Sequence, residues 1–150
     1  MNRSLRQNVR PTLSRFLTYL KSNPIGKIIA TPGLILSDID GVIPDLVFIR
    51  TERLAEIISG ERLTGPPDLV IEILSPGREN EMRDRVAKRQ LYAKFGVKEY
   101  WIVDPKNRII EVFCLEQGVL ERKYSAGPGD EVVSWVLPGF RCQASDIFAA

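Results

Sequence analysis

The chain contains no histidine and only two cysteines, Cys114 and Cys142, far apart and outside any CxxC spacing. Without histidine there is no Ser-His-Asp relay, and no zinc site of the Cys2His2 or His-rich kind can form. Any catalysis must run on carboxylates, lysine, tyrosine or hydroxyls. No run approaches the ~20 apolar residues of a membrane span, and no apolar signal core precedes a small-residue cleavage site. The default expectation is therefore a cytoplasmic protein with reduced thiols. Acidic residues are also missing from the first 30 positions, where Arg3, Arg6, Arg10, Arg15, Lys21 and Lys27 lie; a net charge of +2 thus hides a basic N-terminal end and an acidic remainder. An acid-free end with Arg and Ser has the composition of an organelle transit peptide. Leu13, Phe16, Leu17 and Leu20, however, form an i, i+3, i+4, i+7 stripe that lets the helix pack as part of the domain, with its basic residues as a solvated face.

What is present fits one domain over residues 1–150: at 44% hydrophobic the chain has enough apolar side chains for a single core. Hydrophobic patterning and turn residues predict a helix over 12–21 and a β-rich stretch over 28–36 broken at Thr31-Pro32-Gly33, then a turn around Asp38, Asp40 and Gly41. A strand over 45–49 and a short helix over 52–58 follow. Asp68 to Leu74 is the most apolar run in the chain, as a central strand covered on both faces should be. Ser75-Pro76-Gly77 closes it. A charged helix over 79–95 stops at Gly96, and a strand over 99–103 ends at Asp104-Pro105. Asp104 is expected to be structural, bonding backbone amides in the turn toward Asn107. An antiparallel meander over 109–115, 118–124 and 131–137 completes the chain.

Two strand-like runs, Pro44-Asp45-Leu46-Val47-Phe48-Ile49 and Pro67-Asp68-Leu69-Val70-Ile71-Glu72-Ile73-Leu74, carry carboxylates among apolar residues. Such groups are costly to bury unless they bind a metal or meet a cation. Strand alternation puts Asp68, Val70, Glu72 and Leu74 on one face. On the long helix, at about 100° per residue, Asp84, Ala87, Lys88, Leu91, Tyr92 and Phe95 fall in one arc, read as facing the sheet, while Arg83, Arg85, Arg89 and Lys94 fall outside it as a solvent face. Lys88 therefore has Glu72 as its nearest partner by topology. A structural salt bridge, Asp84 with Lys88 or Glu72 with Lys88, and a catalytic centre both satisfy this pattern. In the second case Asp45, Glu72, the Ile73 carbonyl and waters supply oxygen ligands for a hard cation such as Mg²⁺. The spacing then reads as a metal-dependent phosphodiester-cleaving site.

The order Pro44-Asp45, Glu72 within Pro-Asp-Leu-Val-Ile-Glu-Ile-Leu-Ser-Pro, then Asp84, Lys88, Tyr92, Gly96-Val97 and Glu99-Tyr100-Trp101-Ile102-Val103-Asp104-Pro105 resembles the Uma2 family of proposed endonucleases, within the PD-(D/E)XK nuclease superfamily. The resemblance runs from about residue 8 to the C-terminus and is densest between Pro67 and Pro105. It implies an α/β fold with a restriction-endonuclease-like mixed β-sheet core flanked by helices, followed by the C-terminal antiparallel β-meander. It also implies divalent-metal-dependent DNA endonuclease activity with Asp45, Glu72 and Lys88 catalytic, Asp45 and Glu72 holding Mg²⁺ or Mn²⁺, and Tyr92 at the substrate. The superfamily's lysine normally follows the Glu by two residues; Leu74 occupies that place here, and the resemblance implies that Lys88 on the helix takes over the role. The glutamate that family members carry ahead of the first helix has no counterpart, because no acidic residue precedes Asp38. DNA is the implied partner, with a homodimer as the simplest way to cut two strands. The alternative is a non-catalytic nuclease-fold protein that binds nucleic acid or self-associates.

Overall fold

The computed structural model describes residues 3–37, 41–74 and 81–148, with side chains from Val9 and, in the third segment, from Arg85 onward. The expected turn at Asp38 and Asp40, the closing Ser75-Pro76-Gly77, the helix start at Glu79 and the side chains of Met82, Arg83 and Asp84 lie outside the described residues. The chain begins with α1 (Arg3–Ser22), β1 (Gly26–Ala30), β2 (Gly33–Ile35), β3 (Gly41–Val42) and β4 (Leu46–Arg50). A 3-10 turn leads into α2 (Leu54–Ile57), β5 (Ile58–Ser59), β6 (Arg62–Leu63) and β7 (Leu69–Ile73). After α3 (Glu81–Lys94) come β8 (Glu99–Asp104), β9 (Ile109–Glu116), β10 (Val119–Ala126), β11 (Glu131–Val133), β12 (Arg141–Gln143) and α4 (Ala144–Phe148).

Six strands form the main sheet in the order β1-β4-β7-β8-β9-β10. Within this sheet, among the described residues, only β7 and β8 run parallel, and α3 is the crossover between them, as parallel neighbours require. The mixed sheet, the central apolar strand and the flanking helices agree with the expected α/β class. Along β4 and β7 every residue from Leu46 to Ile49 and from Leu69 to Ile73 is buried, which explains why Glu72 is the one charged residue among them. Alternation divides the core in two. Leu46, Phe48, Leu69, Ile71, Trp101 and Val103 face α1. Val47, Ile49, Val70, Tyr100 and Ile102 face α3. Gly26 in β1 lies so close to β4 that an added Cβ would stand 2.3 Å from the Ile49 carbonyl oxygen and 2.5 Å from the Phe48 ring. Among the described residues, no helix is long and apolar enough to cross a membrane.

Three expectations need correction. Helix α1 reaches back to Arg3 through Pro11, although proline removes one helical N–H; Val9 and Phe16, on either side of it, are both buried and hold the two halves on the sheet. Phe16 stacks on Phe140 at 4.7 Å, whereas Leu17 turns to solvent at 47% exposure and so leaves the expected stripe.

On α3, Tyr92 and Ala93 are buried, Leu91 and Phe95 are half-buried and Ala87 is exposed. The packed face is thus turned by about 100° from the expected arc, toward Arg85 and Arg89. Both arginines are half-buried, because their long stems cover the outer strands of the sheet. Lys88 belongs to both arcs.

In the meander, β9 and β10 extend the sheet as expected, around a hairpin in which Gln117 and Gly118 both have positive φ, +50° and +80°. The third leg does not join them. It stops at Val133, pairs with β12 in a separate two-stranded sheet, and sends Val136 and Leu137 into the core on the α1 side. The buried Glu99 carboxylate causes this turn: its Oε1 accepts the N–H groups of Trp135 (2.8 Å) and Val136 (3.1 Å), and its Oε2 accepts Ser134 Oγ (2.8 Å) and Trp101 Nε1 (2.7 Å).

Candidate active site

The β4–β7 register sets Leu46 opposite Ile71, Val47 opposite Val70 and Phe48 opposite Leu69. Carried one residue further, it brings Asp45 opposite Glu72 on the face that α3 covers. Directly opposed residues on one face have Cβ atoms about 5 Å apart, and like charges so placed repel. Both side chains are buried, Asp45 at 7% and Glu72 at 8% exposure. Asp45 Oδ2 accepts the Ile73 backbone N–H at 2.6 Å, which fixes its carboxylate beside the last residue of β7.

Helix α3 supplies the remaining groups. Lys88 and Tyr92 stand four residues apart on the same helical face and both reach Glu72. Lys88 Nζ lies 3.2 Å from Glu72 Oε2. The Tyr92 hydroxyl donates to Glu72 Oε1 at 2.9 Å. The Lys88 side chain retains about a third of its surface, 32%, so the ammonium borders both the carboxylate and solvent. Tyr92 has none: its contact is with Glu72, and its ring packs against Tyr100 at 5.3 Å.

Burial pushes the Glu72 carboxyl above its ordinary value; Lys88 pulls it down, Asp45 pushes it up again, and the bonds from Tyr92 and Lys88 favour the charged form. Tyr92 is raised far above the usual phenol range, first by burial and then by the Glu72 charge, so it is a fixed hydrogen-bond donor and not an acid near neutral pH. Among the described side chains the cluster holds two carboxylates and one ammonium. Among the described residues no group of three or more Asp, Glu, Cys or His side chains gathers to hold an ion. Two opposed carboxylates still fit a hard divalent cation, since Mg²⁺ commonly takes one or two carboxylates and keeps several waters.

The other expected residues separate cleanly. Asp68, on Glu72's face but four residues away, lies at the far end of β7; it accepts the Arg50 N–H at 2.8 Å and pairs with Arg53 at 3.0 Å. Asp104 closes its turn on Asn107, accepting the backbone N–H at 3.1 Å and the side-chain amide at 2.8 Å. Sequence reading assigned no role to Glu99. Its buried setting within an apolar strand was the one available signal.

A mixed sheet with a parallel β–α–β crossover, flanked by helices and continued by antiparallel strands, is a restriction-endonuclease-like architecture. The Uma2 family, described as "Putative restriction endonuclease", matches residues 6–145, and the chain belongs to that family. No curated protein matches it. Among solved structures it is similar to a "putative nuclease belonging to DUF820" from Anabaena variabilis ATCC 29413, with a TM-score of 0.74 at 18% identity, covering 99% of this chain and 82% of that one. At that identity the likeness shows the fold.

Proposed function

We propose that this protein is a divalent-metal-dependent endonuclease that hydrolyses phosphodiester bonds in DNA. The observation that carries this reading is the convergence of Asp45, Glu72 and Lys88, where two opposed strands meet the middle of one helix. Asp45 and Glu72 would hold Mg²⁺ or Mn²⁺. Such an ion, when bound, polarises a phosphoryl oxygen and lowers the pKa of a coordinated water.

The protein's own groups have separable tasks. Asp45 is oriented by the Ile73 N–H and Glu72 by the Tyr92 hydroxyl, so both carboxylates are positioned before any ligand arrives. The Lys88 ammonium, partly exposed beside them, stabilises negative charge as it develops on the non-bridging oxygens of the attacked phosphate. Tyr92, buried behind Glu72, acts as a positioning residue. A dimer would place one such site on each strand of a duplex.

The test is nicking of supercoiled plasmid by wild type, Lys88→Ala and Glu72→Gln, in Mn²⁺ and in EDTA. Cleavage by wild type alone, dependent on Mn²⁺, is expected. Equal cleavage by all three proteins would trace the activity to a contaminant. One feature favours the alternative of a non-catalytic, nucleic-acid-binding protein: both oxygens of Glu72 already have donors. A folded wild type that binds Mn²⁺ without cutting would establish that reading.

A further inference from the structure

Beside the carboxylates, α3 and the strands β8 and β9 enclose a cleft of about 270 Å³. Its floor is Ile102 and Phe113, and its walls are Arg85, Arg89 and Glu111. The register fixes its place: Glu72 stands opposite Ile102, and Ile102 opposite Glu111. Glu72, Ile102 and Glu111 thus form one row across three strands, and the cleft lies about 5 to 10 Å from Glu72 along that row. On the helix, Arg85, Lys88 and Arg89 are at i, i+3 and i+4, a continuous cationic edge leading from Glu72 to the cleft.

Charge in the cleft is unbalanced. Glu111 takes Arg85 at 3.6 Å and Arg122 at 3.3 Å. Arg89 lies with its guanidinium carbon 5.0 Å from the centre of the Phe113 ring, and no carboxylate among the described residues is within ion-pair reach of it. Among the described side chains, Arg85 and Arg122 therefore share one carboxylate and Arg89 has none. The Arg85 Nε atom, moreover, is buried with no hydrogen-bond partner, an uncommon state for a strong donor. An oxyanion between Arg85 and Arg89 would satisfy that donor and offset the excess charge, and the planar fork of arginine suits phosphate oxygens.

We infer that this cleft binds a backbone phosphate of the nucleic-acid strand next to the one at Asp45, Glu72 and Lys88, with Arg85 and Arg89 as its ligands. The inference rests on the nuclease reading and adds a subsite to it. Strand charges recur about every 3.4 Å of duplex axis, so one strand can seat neighbouring phosphates at Glu72 and in the cleft. Arg89 already lies over the Phe113 ring and needs little reordering to bind.

The experiment measures binding of a fluorescein-labelled 16-base-pair duplex by anisotropy, in EDTA so that no cleavage intervenes, over a series of salt concentrations. Arg85→Gln/Arg89→Gln is expected to weaken binding about tenfold near 0.1 M salt and to reduce the slope of log K against log salt by about 1 to 2. Arg85→Lys/Arg89→Lys should restore the slope, and the distant pair Arg62→Gln/Arg141→Gln should leave it near wild type. Arg89→Gln alone, which breaks no ion pair, guards against misfolding of the double variant and should reduce the slope by about 1. Competition by inorganic phosphate at millimolar concentration would identify a general oxyanion site and remove the claim on strand backbone. A slope unchanged in both glutamine variants, or no duplex binding by wild type, overturns the inference. Plasmid nicking is read separately: nicking with an unchanged slope discards the cleft alone, and a lost slope without nicking keeps the cleft and discards cleavage.

Discussion

Asp45 and Glu72 are opposed across the β4–β7 pair, two buried carboxylates on one face of the sheet, with Asp45 anchored to the Ile73 N–H at 2.6 Å. Burial first, and their mutual repulsion in addition, raises the Glu72 carboxyl. An acid whose pKa is higher in the folded than in the unfolded state binds more protons when folded, so its contribution to stability is full below the unfolded value, 4.5 for Glu72, and is lost as pH rises through the folded value. Melting temperature in EDTA should therefore decline across the range above pH 4.5, and Asp45→Asn should shift that decline to lower pH. A carboxyl resonance of Glu72 that titrates at its unfolded value would contradict this.

A divalent cation should reverse that loss. At a hundredfold excess over Kd, a ligand that binds only the folded state adds about 2.7 kcal/mol, or about 5 to 10 °C in melting temperature for a chain of this size. Mn²⁺ should give wild type that increment near neutral pH and give Asp45→Asn and Glu72→Gln little of it. Calorimetry in both conditions checks it; an equal rise in all three proteins would place the ion elsewhere.

Lys88 contacts Glu72 and cannot itself coordinate a cation. Lys88→Ala should lower kcat by about 10² to 10³ while leaving Mn²⁺ affinity within a small factor of wild type. Because the Lys88 charge lowers the Glu72 carboxyl, its removal should also move the acid limb of the rate–pH profile to higher pH. A variant that loses metal binding and rate in proportion would instead make Lys88 a scaffold for Glu72.

Tyr92→Phe isolates one hydroxyl. The bond to Glu72 Oε1 is buried and charge-assisted, so its loss should cost about 2 kcal/mol in urea unfolding and raise the Glu72 carboxyl further. With no exposed surface on the ring, KM should stay constant while kcat falls and the rate–pH profile moves upward. A change confined to KM would show that the buried ring nonetheless reaches substrate.

That Asp45, Glu72 and Lys88 come together was readable because each placement depends on local periodicity. Strand parity put Glu72 on one face of an otherwise apolar run, a short strand opening placed Asp45, and helical spacing placed Lys88 four residues before Tyr92. The rotation of α3 was not readable in the same way. Its apolar residues are spread around the helix, and its packing is decided by Arg85 and Arg89, whose stems cover strands that come later in the chain. Nor was the departure of the third meander strand. That turn depends on a carboxylate 35 to 37 residues earlier than the groups it binds, a pairing that no window along the sequence contains.

Glu99 gives the sharpest test of that non-local pairing. Burial raises its carboxyl, while Ser134, Trp101 and the amides of Trp135 and Val136 all bond the charged form. In Glu99→Gln the amide oxygen still accepts the two backbone N–H groups, but the amide NH₂ meets two donors. Ser134 can turn its hydroxyl to accept; the indole N–H of Trp101 cannot, and it is left buried against another donor. That single mismatch should cost about 2 to 3 kcal/mol in urea unfolding and change the emission of Trp101, which is fully buried beside it. Glu99 lies on the α1 face of the sheet, with Trp101 and away from Glu72, so Mn²⁺ affinity and Lys88-dependent cleavage should persist in the folded fraction. If Glu99→Gln were as stable as wild type, the four bonds would be incidental to the fold, and the turn at Ser134 would have to be held by the packing of Val136, Leu137 and Phe140 and by the bonds of Tyr124 to Val133 and of Arg50 to the Val136 carbonyl.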